Sequence, residues 1–527
     1  MAFQGYLCFV LHAHLPYIRH PEYPDFIEED WLYEANSETY IPLILMMERL
    51  AQDKVPFRLT MSLTPPLCEM MVDPLLQDRY LAKLEKLIRL CEAESRSHGP
   101  ESPFHQVTHM YLTRFRECRD CFLRYNKNLV SAFAALQYAG YLEVITCGAT
   151  HGLLPLMSGD NARRAQLRVA RENYRKHFQC DPRGIWLPEC AYVPGIEDLV
   201  HEVGIDYFML DSHGLVLGTP TPRCGVYRPI YAPNGTAAFG RDPESSRQVW
   251  SSKEGYPGDA DYREFYRDLG YDAGYEFIQP HLHSDGIRRN IGLKYHRITG
   301  QVPLHQKEAY RPDWAWGKTQ SHAANFMFNR QVQIKHLHSV LGVEPIVVCP
   351  YDAELFGHWW FEGPWFLENL FRDIATKQHE IALITPPEYL DLHPENQVVR
   401  PAASSWGDKG FYEVWLNASN DWIYRHLHVA EKRMAELCHR YPQADGLLRR
   451  ALNQAGRELL LAQSSDWAFI MTTGTMVPYA ERRTRDHLHN FNGIYLQIVE
   501  GRLEDPWIAQ LESRNAIFQE IDYHAWW

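Results

Sequence analysis

No apolar run in the sequence approaches the roughly 18 residues that a membrane-spanning helix needs. A disulfide framework is missing too. The 11 cysteines are an odd number, scattered singly, which suits a reducing compartment and makes the cytoplasm the expected location. The one CxxC, Cys118–Cys121, has no second pair and falls in a helix-like stretch, so it is not expected to hold a metal or act as a redox centre. Positive charge is in short supply. Lys and Arg number 53 against 66 Asp and Glu, for a formal charge of −13. That balance argues against nucleic acid or an anionic membrane surface as partner and favours a neutral substrate. The first apolar run has no basic segment before it, so no signal peptide is expected. Repeats and low-complexity tracts are absent as well.

Aromatic residues, by contrast, are plentiful, at 13% of the 527 positions. Aromatic faces suit sugar rings, although most such residues pack cores. Seven segments read as buried strands: 5–11, 57–62, 141–147, 185–189, 205–211, 346–354 and 381–385. Several are continuously apolar, as in parallel sheets covered on both faces. Helical patterns lie between them, at 160–178 and 195–204 for example, so the fold class is α/β with a parallel sheet or barrel. Residues 212–340 form a long irregular region rich in Gly, Pro, Tyr and His, the mark of a functional loop or small insertion. From about 401 the spacing becomes helical with mixed charges. The expected division is 1–189 and 271–400 for the two parts of the α/β body, 190–270 for an insertion over the site, and 401–527 for a helical domain.

Polar groups gather just past the strand ends, where α/β folds place their active sites. Glu189 in "WLPECAY" and Asp352 in "PYDAELFGHWW" are two carboxyls among aromatics, the residue pair that cleaves glycosidic bonds. An apolar wall keeps the acid of such a pair protonated. His12 and His14 in "LHAHLP" sit at i and i+2 on a strand and point the same way. They could line a pocket, or hold zinc with His151 or Asp211 completing the set. The residues alone leave both readings open.

Five stretches in order, "HAHLP" (12–16), "GATHGLLPL" (148–156), "WLPECAY" (186–192), "PYDAELFGHWWFEGP" (350–364) and "LLLAQSSDWAF" (459–469), resemble the signature regions of glycoside hydrolase family 57. The set, its order and the chain length are most similar to the family's 1,4-α-glucan branching enzymes. The resemblance implies an incomplete (β/α)7 barrel with an inserted small domain and a C-terminal helical domain, and an α-glucan substrate. It places the nucleophile on Glu189 and the general acid/base on Asp352. His12, His14 and His151 would line the donor subsite, Trp359, Trp406 and Trp415 would wall the cleft, and Asp466 and Trp467 would reach it from the helical domain. Neither cofactor nor metal is implied, and oligomeric state is left unspecified. The rivals are an α-amylase or 4-α-glucanotransferase on the same residues, a metal-dependent carbohydrate deacetylase or hydrolase built on HxH, and a non-catalytic glucan binder. The segment 231–265 is long enough to form a lid, with Gly240, Gly255 and Gly258 giving it freedom. Trp250 and Tyr256 are its candidate aromatics, and Tyr256 is the residue expected to meet substrate.

Overall fold

The computed structural model describes residues 3–251 and 254–527; of the 231–265 segment, 252–253 lie outside the described residues. Among the described residues nine strands form: β1 (Gly5–Ala13), β2 (Leu59–Leu63), β3 (Leu142–Ile145), β4 (Gly184–Ile185), β5 (Tyr207–Leu210), β6 (Ile230–Tyr231), β7 (Ala237–Gly240), β8 (Ile346–Asp352) and β9 (Ile381–Leu383). All seven expected segments contain strand, although 185–189 does so only at Ile185, and Pro188–Cys190 forms a tight 3-10 turn instead. β6 and β7 are additional. The first sheet runs β3-β2-β1-β8, with β9 paired to the start of β1, and its pairings are parallel. The second runs β4-β5-β7-β6, parallel except where β6 meets β7. Single parallel bridges, Thr146 to Ile185 and Arg241 to Val348, connect the two sheets at both margins.

β1 shows why the sequence reads as it does. "GYLCFVLHA" is buried at every position except Tyr6, because strands lie on both edges and helices cover the faces. Gly5 is required by close approach: a Cβ there would sit 2.7 Å from the Pro345 carbonyl oxygen.

Helices from Trp422 onward make the C-terminal body, chiefly Trp422–Arg440, Gly446–Ala462, Ser465–Thr473 and Val477–Glu500. Their amphipathic spacing buries one stripe each, as in Leu427, Met434 and Leu437 on the first. This body is tied to the loop after β3. Gly152 bridges Ser464, and the Ser465 N–H donates to the His151 carbonyl at 3.1 Å.

Residues 190–270 contribute β5, β6 and β7 to the second sheet, so that span holds sheet as well as loop. After β7 the chain is anchored. The helix Pro243–Trp250 packs beside the 30-residue helix Pro312–Leu341, where Arg330 pairs with Asp242 at 3.3 Å, both side chains fully buried. Gly240 does not supply lid freedom. A Cβ there would press on Leu215 and Val226, so it serves close packing. Among the described residues, no helix is long and apolar enough to cross a membrane. Cys118 and Cys121 are free and buried on the helix His105–Arg124.

Candidate active site

The pairing register brings the first site residues together. At the end of β1, His12 lies opposite Ser62 of β2 on one side and Asp352 of β8 on the other. His14, two residues on, donates its backbone N–H to Glu354 at 3.1 Å. Around them opens a cleft of about 590 Å³. His12, His14, His151, Glu189, Asp352, Trp359, Trp406, Trp415 and Asp466 all line it. Trp250, at the end of the helix Pro243–Trp250, lines it too, so ten of the thirteen candidate residues named from sequence meet in one place.

Glu189 sits on a tight turn with φ 61° and ψ 23°, and Cys190 follows at φ 49°. Non-glycine residues avoid this left-handed region, and such strain gathers where a side chain must be aimed. Its carboxyl is held at both oxygens. The Trp406 indole N–H donates to Oε2 at 2.8 Å, and the Ser465 hydroxyl donates to Oε1 at 3.3 Å. Burial pushes Glu189 up to about 7; the Trp406 bond resists, and the Asp466 charge adds to the rise. Burial also drives Asp352 well above the usual carboxylate range, reinforced by the charges of Glu354 and Glu189 and opposed by Arg241. Among the described residues, no side chain or backbone N–H donates to the Asp352 carboxyl. One carboxyl therefore has donors that support its charge and the other has none, so the proton settles on Asp352 near neutrality. A carboxylate and a carboxylic acid in one apolar cleft can open a glycosidic bond.

The histidines form a chain. His12 Nδ1 lies 3.2 Å from Ser62 Oγ, and His12 Nε2 lies 3.0 Å from His151 Nε2. His151 Nδ1 is 2.8 Å from Ser465 Oγ. His14 Nδ1 meets Thr64 Oγ1 at 3.0 Å, and its Nε2 meets Asp466 at 3.0 Å. All six ring nitrogens thus have protein partners. Burial lowers the pKa of His12 and of His151 well below the imidazole range, with help from neighbouring rings, so both are neutral. Burial disfavours charge on His14 as well, but the Asp466 carboxylate outweighs it and raises the pKa. Reciprocally, burial opposes ionisation of Asp466, yet His14 brings its carboxyl down to about 2. His14–Asp466 is an ion pair, with the neutral His151 ring stacked 3.9 Å from His14.

Three sequence-named residues lie elsewhere. Tyr256 is 9% exposed, with its ring stacked 4.4 Å from His322 and its hydroxyl bonded to Gln248 and Asn325. It packs its own loop onto the long helix. Trp467 is 1% exposed and donates to the Leu461 carbonyl at 2.8 Å; on a helix, its neighbour Asp466 points into the cleft and it points away. Asp211, weighed as a zinc ligand, instead accepts from Ser212 and Arg241.

Others went unnamed. Arg241, Glu354, Glu34, Trp31, His358 and Phe469 line the cleft, and Ser465 touches Glu189. The position of Arg241, directly after β7, is a strand-end signal of the kind that found Glu189, hidden because β7 itself was not recognised. Glu354 lies two residues past Asp352, accepts from the Tyr40 hydroxyl, and could have been read from "YDAE".

Residues 8–339 match the description of glycosyl hydrolase family 57, and residues 426–526 match that of the 1,4-alpha-glucan branching enzyme C-terminal region. The chain is similar to a 1,4-alpha-glucan branching enzyme of Thermococcus kodakarensis, at 34% identity over 98% of this chain and 78% of that one. Among solved structures it resembles the "novel alpha-amylase" of Thermotoga maritima, with 45% identity, a TM-score of 0.93 and 99% of both chains covered. It also resembles the branching enzyme of Pyrococcus horikoshii, with 34% identity, a TM-score of 0.89, and 99% and 97% covered.

Proposed function

Because the chain belongs to glycosyl hydrolase family 57, we propose that Glu189 and Asp352 carry out a retaining double displacement on α-glucan. The enzyme is a 1,4-α-glucan branching enzyme: it cleaves an α-1,4 linkage and transfers the released segment to a 6-hydroxyl. Glu189 attacks the anomeric carbon while the Asp352 carboxyl gives its proton to the departing 4-oxygen, leaving a glycosyl ester on Glu189. Asp352, now ionised, takes the proton from the acceptor 6-hydroxyl, whose oxygen displaces Glu189 to form the α-1,6 bond. The observation that carries this reading is Glu189 itself, strained into a left-handed turn and held at both oxygens, in an aromatic cleft it shares with a carboxyl that no donor supports.

The α-amylase reading uses the same residues with water as acceptor, and the likeness to the Thermotoga protein favours it. Incubation with amylose, followed by debranching, separates the two. New α-1,6 linkages should outnumber new reducing ends; reducing ends without branches would make the enzyme an amylase.

The zinc hydrolase reading is weakened by the histidine chain, whose ring nitrogens are committed to one another and to hydroxyl or carboxylate partners. Chelator dialysis should leave activity intact; loss restored only by zinc would revive it.

We read the two sheets as one incomplete (β/α)7 barrel. Parallel strands β1, β2, β3, β4, β5, β7 and β8 make a ring when the Thr146–Ile185 and Arg241–Val348 bridges are counted. β9 pairs outside this ring. On this reading the insertion narrows to about 254–311, between the helix Pro243–Trp250 and the long helix. Free thiols throughout suit the cytoplasm.

A further inference from the structure

Ser465 lies at the start of the helix Ser465–Thr473, far in sequence from Glu189, and its hydroxyl is shared between Glu189 Oε1 and His151 Nδ1. A hydroxyl has one proton to give. Which partner receives it depends on the tautomer of His151, and that depends on His12 and in turn on Ser62. One assignment satisfies the four contacts of the chain when Glu189 is ionised, with the Ser62 hydroxyl turned to His12 at 3.2 Å rather than to the Thr146 carbonyl at 3.4 Å. Ser62 donates to His12 Nδ1, His12 Nε2–H to His151 Nε2, His151 Nδ1–H to Ser465 Oγ, and Ser465 to Glu189. Each donor in this chain points toward the carboxylate. Both rings are neutral, as the assignment needs.

We propose that Ser465 is a positioning residue for the nucleophile, aimed by a hydrogen-bonded chain that begins at Ser62 on β2 and passes through His12 and His151. This rests on Glu189 being the nucleophile. Trp406 fixes Oε2 and Ser465 fixes Oε1, so the carboxyl plane is set from two sides. The bond from Ser465 favours the carboxylate over its protonated form, and favours it again when the carboxylate leaves during resolution of the ester. The chain gives His12 and His151 a second employment besides lining the donor subsite. Its far end, Ser62, is fully buried and touches neither Glu189 nor the cleft. No proton need pass along it; orientation alone is transmitted.

The test is the pH profile of kcat/KM on an aryl maltooligosaccharide for Ser465→Ala, Ser465→Thr, Ser62→Ala and the Ser62→Ala/Ser465→Ala double variant. Groups facing Glu189 are His12 and His14 from β1, Cys147 and His151 from the loop after β3, Arg241 after β7, Asp352 and Glu354 at the end of β8, Asp466 from the helical body, and Cys190 beside it. None of these changes in the four variants, so movement of the acid limb reports the chain. Ser465→Ala should move that limb to higher pH by about 0.4 to 1 unit, the equivalent of one long hydroxyl–carboxylate hydrogen bond. Ser465→Thr, which keeps the hydroxyl, should restore it. Ser62→Ala should shift the limb the same way by less, and the double variant should match Ser465→Ala alone. A limb unmoved in Ser465→Ala, or shifts from the two serines that simply add, would overturn the proposal. Glu189→Ala with added azide is run in parallel. Lost activity recovered as glycosyl azide keeps the nucleophile assignment intact whatever the serines do.

Discussion

The proposed roles of Glu189 and Asp352 predict a pH profile, because the double displacement proposed for them needs Glu189 ionised and Asp352 protonated. As pH falls through about 7, Glu189 gains a proton and kcat/KM should fall with it; as pH rises, loss of the Asp352 proton should close the other limb. An acid limb at the ordinary carboxylate value near 4 would contradict the burial that sets this site. Glu189→Gln and Asp352→Asn should each lower the rate by several orders of magnitude with circular dichroism unchanged, and near-native activity in either would remove the assignment. Hydrolysis of a short donor, followed by proton NMR, should release the α-anomer first, as double displacement requires. Both carboxyls were legible because each follows an apolar run that reads as a strand and sits among aromatics. Ser465 was not legible in this way: it lies 276 residues from Glu189, and nothing in "AQSSDW" distinguishes a serine that aims a carboxylate from one that caps a helix.

At the scale of elements, β6 and β7 escaped the sequence reading for a physical reason. Two residues, and the four of "AAFG", are too short for periodicity, and alanine and glycine carry little strand preference. The expected lid was misplaced in consequence. Residues 237–250 are a strand and a helix locked by Asp242–Arg330, both buried, and they present Trp250 to the cleft while Tyr256 turns into the long helix. Trp250→Ala should therefore lower the ratio of new branches to new reducing ends, since its loss admits water beside Trp406. Tyr256→Phe should leave that ratio unchanged. The reverse pattern would return the lid role to the tyrosine. Arg330→Met, leaving Asp242 without its buried partner, should destabilise the fold by about 3–5 kcal/mol, read as a lowered midpoint in urea.

Over the whole molecule, the helical body was recognisable from amphipathic spacing, but only the family resemblance implied its share in the site, because spacing says which face is buried and not what buries it; Asp466 does line the cleft, and Trp467 does not. The His14–Asp466 pair fastens that body to β1, and its titration sets a pH window. His14, raised in the fold, contributes stability below its unfolded pKa near 6.5 and loses it as pH rises through the folded value. Asp466, depressed to about 2, contributes above its unfolded value near 4 and loses it as pH falls through 2. The pair is worth most between roughly pH 4 and 6.5. The Tm gap between native enzyme and Asp466→Asn should be widest there and narrow toward alkaline pH; a gap constant with pH would mean the contact is not ionic. One junction also has a meaning in time. A ribosome makes Glu189 and Asp352 long before it makes Ser465 and Asp466, so the emerging chain holds both reacting carboxyls while its site still lacks a wall. On the proposed roles, activity should appear only once the helical body that supplies Ser465 and Asp466 has been made.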